Sequence, residues 1–282
     1  MDTYISAFLD YLIQVKKASV NTIASYRRDL CCFSLYAQKM GVAALTDATK
    51  TIVMSYLYSL EMANRSAATI SRNTASLRSF YHFLLSEHLV EENPVSGYEA
   101  PKVEKHPPQI LSTEEMERLL AQPKPNDMKG ARDKAMLQLL CTTGLRVTEL
   151  VSIRCADLSL AAGCLTCGDG TKERIIPLSG ETIAALRLYL ETYRPMLDRN
   201  DGNDFLFLNY TGQPMSRQGF WKLLKSYAQK AGIQKDITPQ MLRHSFACHR
   251  LENGCDIETL REMMGHSDIS STLLYAKMNL QK

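Results

Sequence analysis

The chain has 282 residues, 45% of them hydrophobic and 22% charged, and a formal net charge of +3. That length holds two domains with ordinary cores, and the composition excludes a disordered or fibrous chain. No apolar run approaches the roughly 18–20 residues of a membrane span. Met1-Asp2-Thr3-Tyr4 opens without a basic region followed by an apolar stretch, so a cytoplasmic protein with no membrane partner is expected.

Charge is evenly spread, with 9 Lys+Arg against 8 Asp+Glu over residues 1–97 and 24 against 22 over 98–282. Bulk electrostatics does not announce a nucleic-acid binder, so such a role must rest on local clusters. Eight cysteines suggest no disulfide scaffold in so long a chain. Cys31, Cys32, Cys141, Cys155, Cys248 and Cys255 fall in apolar or helical patterns and are expected as buried, reduced thiols. Cys164-Leu165-Thr166-Cys167 is a CxxC without a second pair, and no metal site is expected from it.

Residues 1–90 are expected as four helices in a small bundle. Ile5, Phe8, Leu9, Leu12, Ile13 and Val15 keep a helical period, and Ser19 can cap a second segment carrying Ile23, Tyr26 and Leu30. A third runs from about Lys50 to Met62, and a fourth from Ala67 to about His88. Arg27, Arg28, Arg65, Arg72 and Arg78, mixed with short hydrogen-bonding residues, suit phosphate contacts and some base readout. A merely solvated helix face would have the same composition. Glu91-Glu92-Asn93-Pro94 ends the bundle. Residues 94–108, with several prolines and with Lys102 and Lys105, read as an interdomain linker.

The second domain starts near Ile110, where Ser112 or Thr113 with Glu115 begins a helix. A long helix through Ala135, Met136, Leu139 and Leu140 ends at Gly144. Residues 164–178 are expected as a β-hairpin turning at Gly168-Asp169-Gly170. Helical periods return over 181–197, 216–231 and 238–252, the last with Thr238 as N-cap and Pro239 at the first helical position.

Chemistry-bearing residues concentrate in three places. Thr142-Thr143-Gly144-Leu145-Arg146-Val147-Thr148-Glu149 sets Glu149 one turn after Arg146, close enough to brace its guanidinium, although a surface ion pair has the same spacing. Thr238-Pro239-Gln240-Met241-Leu242-Arg243-His244-Ser245 puts a second arginine inside a helix. Gly265-His266 then follows a helix starting near Asp256, and Tyr275 comes nine residues later. Two arginines, an imidazole and a phenol are what an enzyme needs to attack a phosphodiester through a covalent tyrosine.

In order and spacing, this set resembles the signature of the tyrosine recombinases (phage integrase family), and the whole chain is most similar to their Xer-type members. The resemblance implies a mainly α fold with a small β-sheet. An N-terminal four-helix core-binding (SAM-like) domain would occupy residues 1–93, a linker 94–108 and the catalytic domain 109–282. It implies site-specific recombination of double-stranded DNA through a 3′-phosphotyrosyl intermediate, without cofactor or metal. Tyr275 would be the nucleophile, Arg146 and Arg243 would hold the phosphate, His266 would donate to it, and Glu149 would support Arg146. A homo-oligomer on DNA, a tetramer, is implied, with room for a second recombinase or an accessory protein.

The chain departs from the signature at two positions. Gln240 stands where the family has a histidine that accepts the nucleophile's proton, and glutamine cannot titrate. Asp169 stands at the turn lysine that protonates the leaving 5′-oxygen, leaving Lys172 as a candidate replacement. These departures keep open a catalytically impaired DNA-binding relative, beside a type IB topoisomerase. Only seven residues follow Tyr275, and the resemblance would have a further C-terminal helix docking on a neighbouring protomer.

Overall fold

The computed structural model describes residues 3–103, 107–168, 173–198, 202–266 and 268–279. The chain divides into two compact units, residues 1–106 and 107–282. In the first, α1 (Thr3–Gln14), α2 (Val20–Lys39), α3 (Lys50–Met62) and α4 (Ala67–Ser86) form the bundle expected from the apolar period. Each of the last three starts where a hydroxyl can accept an orphan amide: Ser19 from Thr22, Thr49 from Ile52 and Ser66 from Thr69. Phe8, Leu30, Phe33, Leu57, Leu77 and Phe80 are fully buried between them. Phe8 and Phe80 meet edge to face at 5.5 Å.

Residues 94–98, placed in the linker by composition, pack on this unit. Val95 is fully buried, and Tyr98 lends its carbonyl to Arg78 Nη2 at 2.9 Å. The chain therefore stays on the core past Pro94 instead of leaving it as a linker.

The second unit is built around a helix buried on all sides. It opens with α5 (Thr113–Leu120), capped reciprocally by Ser112 and Glu115, and continues into α6 (Met128–Thr143). Met136, Leu137, Leu139 and Leu140 of α6 are all inaccessible. The buried charges of α6 are matched: Arg132 holds Asp133 at 2.8 Å and the Leu208 carbonyl at 3.0 Å, while Tyr227 donates to Asp133. Gly144 ends α6 in the left-handed conformation, and α7 (Val147–Ser152) follows two residues later.

The expected hairpin is present as part of a three-stranded antiparallel sheet. It comprises β1 (Leu158–Ser159), β2 (Cys164–Cys167) and β3 (Arg174–Pro177), in the order β1-β2-β3. The register pairs Leu165 with Ile176, both buried, and Cys167 with Arg174 at the turn end. The turn residues Asp169 and Gly170, with Lys172, lie outside the described residues.

The stretch expected as one helix over 181–197 is α8 (Gly180–Leu188), a π-helical turn at Tyr189–Tyr193 and α9 (Arg194–Leu197). Tyr189 is buried in that turn, and its hydroxyl accepts from the Leu208 amide at 3.2 Å. The remaining helices are α10 (Arg217–Lys230), α11 (Pro239–Glu252), α12 (Ile257–Met264) and α13 (Ser270–Asn279). Phe246, Cys248, Leu260, Met264 and Tyr275 close a small second core joining the last three.

All eight cysteines are free, but only Cys141, Cys167 and Cys248 are buried. The expectation of burial fails for the rest: Cys31, Cys155 and Cys255 are half-buried and Cys32 is exposed. Adjacent residues on α2 point about 100° apart, so Cys31 and Cys32 cannot both face one core. Among the described residues, no helix is long and apolar enough to cross a membrane.

Candidate active site

The site is assembled at the C-terminal ends of two helices. Arg146 is the N-cap of α7, and Glu149 folds back to accept its backbone amide at 2.7 Å and its Nη1 at 3.2 Å. Arg174, at the start of β3, grips the same carboxylate with both terminal nitrogens at 3.0 Å. Its Nε donates to the Met263 carbonyl at 3.0 Å. A planar two-pronged contact of this kind fixes orientation as well as charge. Burial pushes the Glu149 carboxyl up, but hydrogen bonds from Arg174 and the Arg146 amide outweigh it and hold the group below the ordinary carboxylate range. Glu149 is therefore an anion shared between two guanidiniums, more than the surface pair its spacing also allowed.

Arg243 is 2% exposed. Its Nη1 donates to the Gly144 carbonyl at 2.5 Å, closing α6, and its Nη2 to the Met264 carbonyl at 2.6 Å, closing α12. Arg146 Nη2 reaches the Gly265 carbonyl at 3.1 Å. Three arginines thus meet the last carbonyls of α12, where unpaired acceptors and the helix dipole favour cations. Burial first, then Arg146, pull the Arg243 guanidinium down to about 10.

Two glycines permit this convergence. Gly265 has φ +62°, and a Cβ there would lie 2.7 Å from Arg174 Nη1. Gly144 has φ +64°, and a Cβ would lie 2.4 Å from the Phe246 ring. Left-handed backbone and close approach both demand glycine.

His266 leaves the Gly265 cap with Nδ1 2.9 Å from Thr272 Oγ1, and its ring stacks on Tyr275 at 6.4 Å. Burial, followed by Arg243, Arg146 and Arg174, drives its pKa down to about 4. At neutral pH it is an uncharged ring in contact with the Thr272 hydroxyl. The residue expected as donor is therefore uncharged before DNA binds. Tyr275 is 2% exposed, and burial moves its phenol above the ordinary value despite Arg243 nearby. Its Oη lies 2.8 Å from His244 Nδ1.

Arg146, Glu149, Arg243, His266 and Tyr275, expected from the sequence, therefore meet at one place. Gln240 is exposed in the first turn of α11. Lys172 and Lys105 lie outside the described residues. Of the other basic candidates, Arg27, Arg28, Arg65 and Lys102 are exposed, whereas Arg72 is paired with the buried Asp29 and Arg78 with the Tyr98 carbonyl. Among the described residues no group of His, Cys, Asp or Glu is arranged to hold a metal ion.

Sequence reasoning missed Arg174, Thr272 and the contact of His244. Arg174 and His244 were legible only as an arginine entering the second hairpin strand and a histidine beside Arg243. Their partners lie 25 and 31 residues away in the chain.

Residues 109–282 match the phage integrase family and residues 5–88 the phage integrase N-terminal SAM-like domain. The chain is 44% identical to a tyrosine recombinase XerD of Listeria monocytogenes serotype 4b (strain F2365), over 98% of this chain and 94% of that one. It is 43% identical to a tyrosine recombinase XerD of Oceanobacillus iheyensis, over 96% and 92%. Among solved structures it is similar to the XerA recombinase, with TM-score 0.55 and 25% identity over 99% of this chain and 97% of that one. The XerH site-specific recombinase bound to difH substrate superposes with TM-score 0.73 at 21% identity, covering 96% and 81%, a likeness of fold. With the family matched across the whole catalytic unit, and relatives above 40% identical over nearly its full length, the chain belongs to the phage integrase family.

Proposed function

We propose that the protein is a site-specific recombinase that cleaves and rejoins duplex DNA through Tyr275. The observation that carries this is the meeting of Arg146, Arg243, His266 and Tyr275 around the end of α12, in a chain of this family. A phosphodiester under attack gathers charge on its non-bridging oxygens, and two guanidiniums with an imidazole N–H are the donors to receive it. Glu149, itself held by Arg174, braces Arg146, and a phosphate between Arg146 and Arg243 offsets the repulsion that adds to burial in lowering Arg243. Tyr275 forms a 3′-phosphotyrosine and releases a 5′-hydroxyl, and a second strand's hydroxyl reverses the step. Lys172 takes the part of leaving-group acid. Arg27, Arg28, Arg65, Arg78 and Lys102, all exposed, with Lys105, contact phosphates, and Arg72 adds the nitrogens it does not spend on Asp29.

Exchange of strands needs several active sites on one DNA assembly, so the working form is a cytoplasmic homotetramer on its site, with or without a second recombinase. The test is covalent trapping. A duplex selected by the full-length protein from a random-sequence library is rebuilt with a nick beside the cleavage position. An adduct with the wild type and none with Tyr275→Phe is expected. Tight binding with no adduct would instead leave a DNA-binding relative that has lost catalysis, the reading Gln240 and Asp169 favour.

A further inference from the structure

Gln240 removes a titratable group from the position where the family signature carries one, yet a titratable group does meet the nucleophile. His244 Nδ1 stands 2.8 Å from Tyr275 Oη, with the two rings 5.5 Å apart and tilted by 52°. The contact follows from helix geometry. Neighbouring residues of α11 point about 100° apart. Arg243 is therefore directed to the ends of α6 and α12, while His244, next in sequence, faces α13. Tyr275 also belongs to the small core of Phe246, Cys248, Leu260 and Met264 and stacks on His266, and His244 is the imidazole in contact with its hydroxyl.

A phenol titrates near 10, and burial carries Tyr275 higher, so the nucleophile meets DNA protonated at neutral pH and must lose its proton as it attacks. We infer that His244 is a catalytic residue, the base whose Nδ1 takes the Tyr275 proton in the cleavage step. This rests on the recombinase reading above. In the step, the Oη–P bond forms as the P–O5′ bond breaks. The phenol proton passes to Nδ1, giving an imidazolium, and the departing 5′-oxygen takes a proton from the leaving-group side. In rejoining, the O5′–P bond forms as the Oη–P bond breaks, the attacking hydroxyl returns its proton to the leaving-group side, and the imidazolium returns its own to the departing phenolate, so nothing is consumed.

The charged and titratable groups around His244 support this direction. Arg243 lies beside it on α11, Tyr275 faces it from α13, His266 stacks behind Tyr275, and Gln240 one turn earlier is neutral. Burial, then Arg243, hold His244 below its ordinary value, so it is uncharged and free to accept. A phosphodiester anion between Arg146 and Arg243 offsets the guanidinium charge. The imidazolium becomes affordable only with substrate in place, which restrains the nucleophile until then.

The test compares adduct formation on the nicked duplex by full-length wild type and His244→Gln between about pH 5.5 and 9.5, bracketing imidazole and phenol titrations. Glutamine keeps a hydrogen-bonding group but cannot titrate. His244→Gln is expected to keep DNA binding, lose about 10²–10⁴ in cleavage rate at neutral pH, and gain rate with pH where the wild type levels off. A trifluorotyrosine at position 275, whose phenol ionises more easily, should restore much of the lost rate in His244→Gln and change the wild-type background little.

Cleavage by His244→Gln at the wild-type rate, or faster, would mean that the contact only seats the tyrosine and would overturn the inference. So would a folded, DNA-binding His244→Gln that trifluorotyrosine fails to rescue. Nitrogen-15 NMR of the free protein needs neither substrate nor a variant. An unprotonated Nδ1 on His244 is expected, and a protonated Nδ1, donating to Tyr275, would overturn the assignment. No adduct from the wild type at any pH would instead sink the recombinase reading, and the tautomer would still decide whether His244 accepts.

Discussion

Three guanidiniums gather around a single carboxylate, and that imbalance is the chemistry of the site at the residue scale. Arg174 and Arg146 share Glu149, while Arg243 has only backbone carbonyls. Even pulled down to about 10, Arg243 keeps its proton at neutral pH, so the site waits with unspent positive charge. Arg146→Ala or Arg243→Ala is expected to slow adduct formation by about 10²–10³, the usual cost of one transition-state donor. Gel-shift affinity should change far less, because many contacts share binding. His266 carries a second prediction. Its pKa is about 4 in the folded protein against 6.5 ordinarily, so unfolding binds a proton anywhere between those values. Its contribution to stability is complete above about 6.5 and is lost as pH falls toward 4. Thermal unfolding at stepped pH should therefore show a steeper acid loss for wild type than for His266→Gln. The four residues proposed for the phosphate chemistry were legible in the sequence because each sits at a helix punctuation mark: Gly-Leu-Arg, Thr-Pro with an arginine one turn in, Gly-His, and a closing helix. Arg174, Thr272 and the reach of His244 were not, since a contact between separate elements leaves no periodic trace in the chain.

At the element scale, helix ends do the positioning. Gly144 and Gly265 stop α6 and α12 in left-handed geometry, and the carbonyls so exposed receive the arginines. Gly265→Ala is expected to cost about 1–2 kcal/mol from backbone geometry alone, and more from displacing Arg174, whose Nη1 would sit 2.7 Å from the new Cβ. Helical circular dichroism in urea titrations of the intact protein reads that loss. The leaving-group acid proposed above belongs to the hairpin sequence. Arg174 ties the start of β3 to Glu149 and Met263. Lys172→Ala should slow cleavage of ordinary DNA. A substrate with sulfur in the 5′-bridging position, whose leaving group needs no proton, should restore the rate, and no recovery would remove Lys172 from the acid role. Capping hydroxyls and apolar period made most helices readable in advance. The π-helical turn at 189–193 and the short strand β1 were not, because tertiary packing of Tyr189 and pairing with β2 create them.

At the scale of the whole molecule, two cores in one chain divide the labour. The first unit buries Phe8, Phe33 and Phe80, the second centres on α6, and no residue of the proposed chemistry lies in the first. The composition of 94–108 pointed to the junction, but not to Val95, whose burial extends the first unit past the prolines. If both units hold DNA, their connection turns the second binding event into an intramolecular one, and affinity should exceed that of either alone by about 10²–10⁴. A protease recognition sequence inserted after Pro101 tests this without touching either core. Before cleavage, the inserted protein should bind the selected duplex like the wild type. After cleavage, Trp221 fluorescence and helical circular dichroism should be unchanged, because each unit keeps its own buried side chains. Affinity should fall, and adduct formation at low protein concentration should fall with it. It should recover as concentration is raised, since Arg146, Arg243, His266 and Tyr275 all remain in one fragment. Unfolding on cleavage would show that the two cores depend on each other. Unchanged affinity would place DNA recognition in a single unit and leave Arg27, Arg28 and Arg65 as solvated surface.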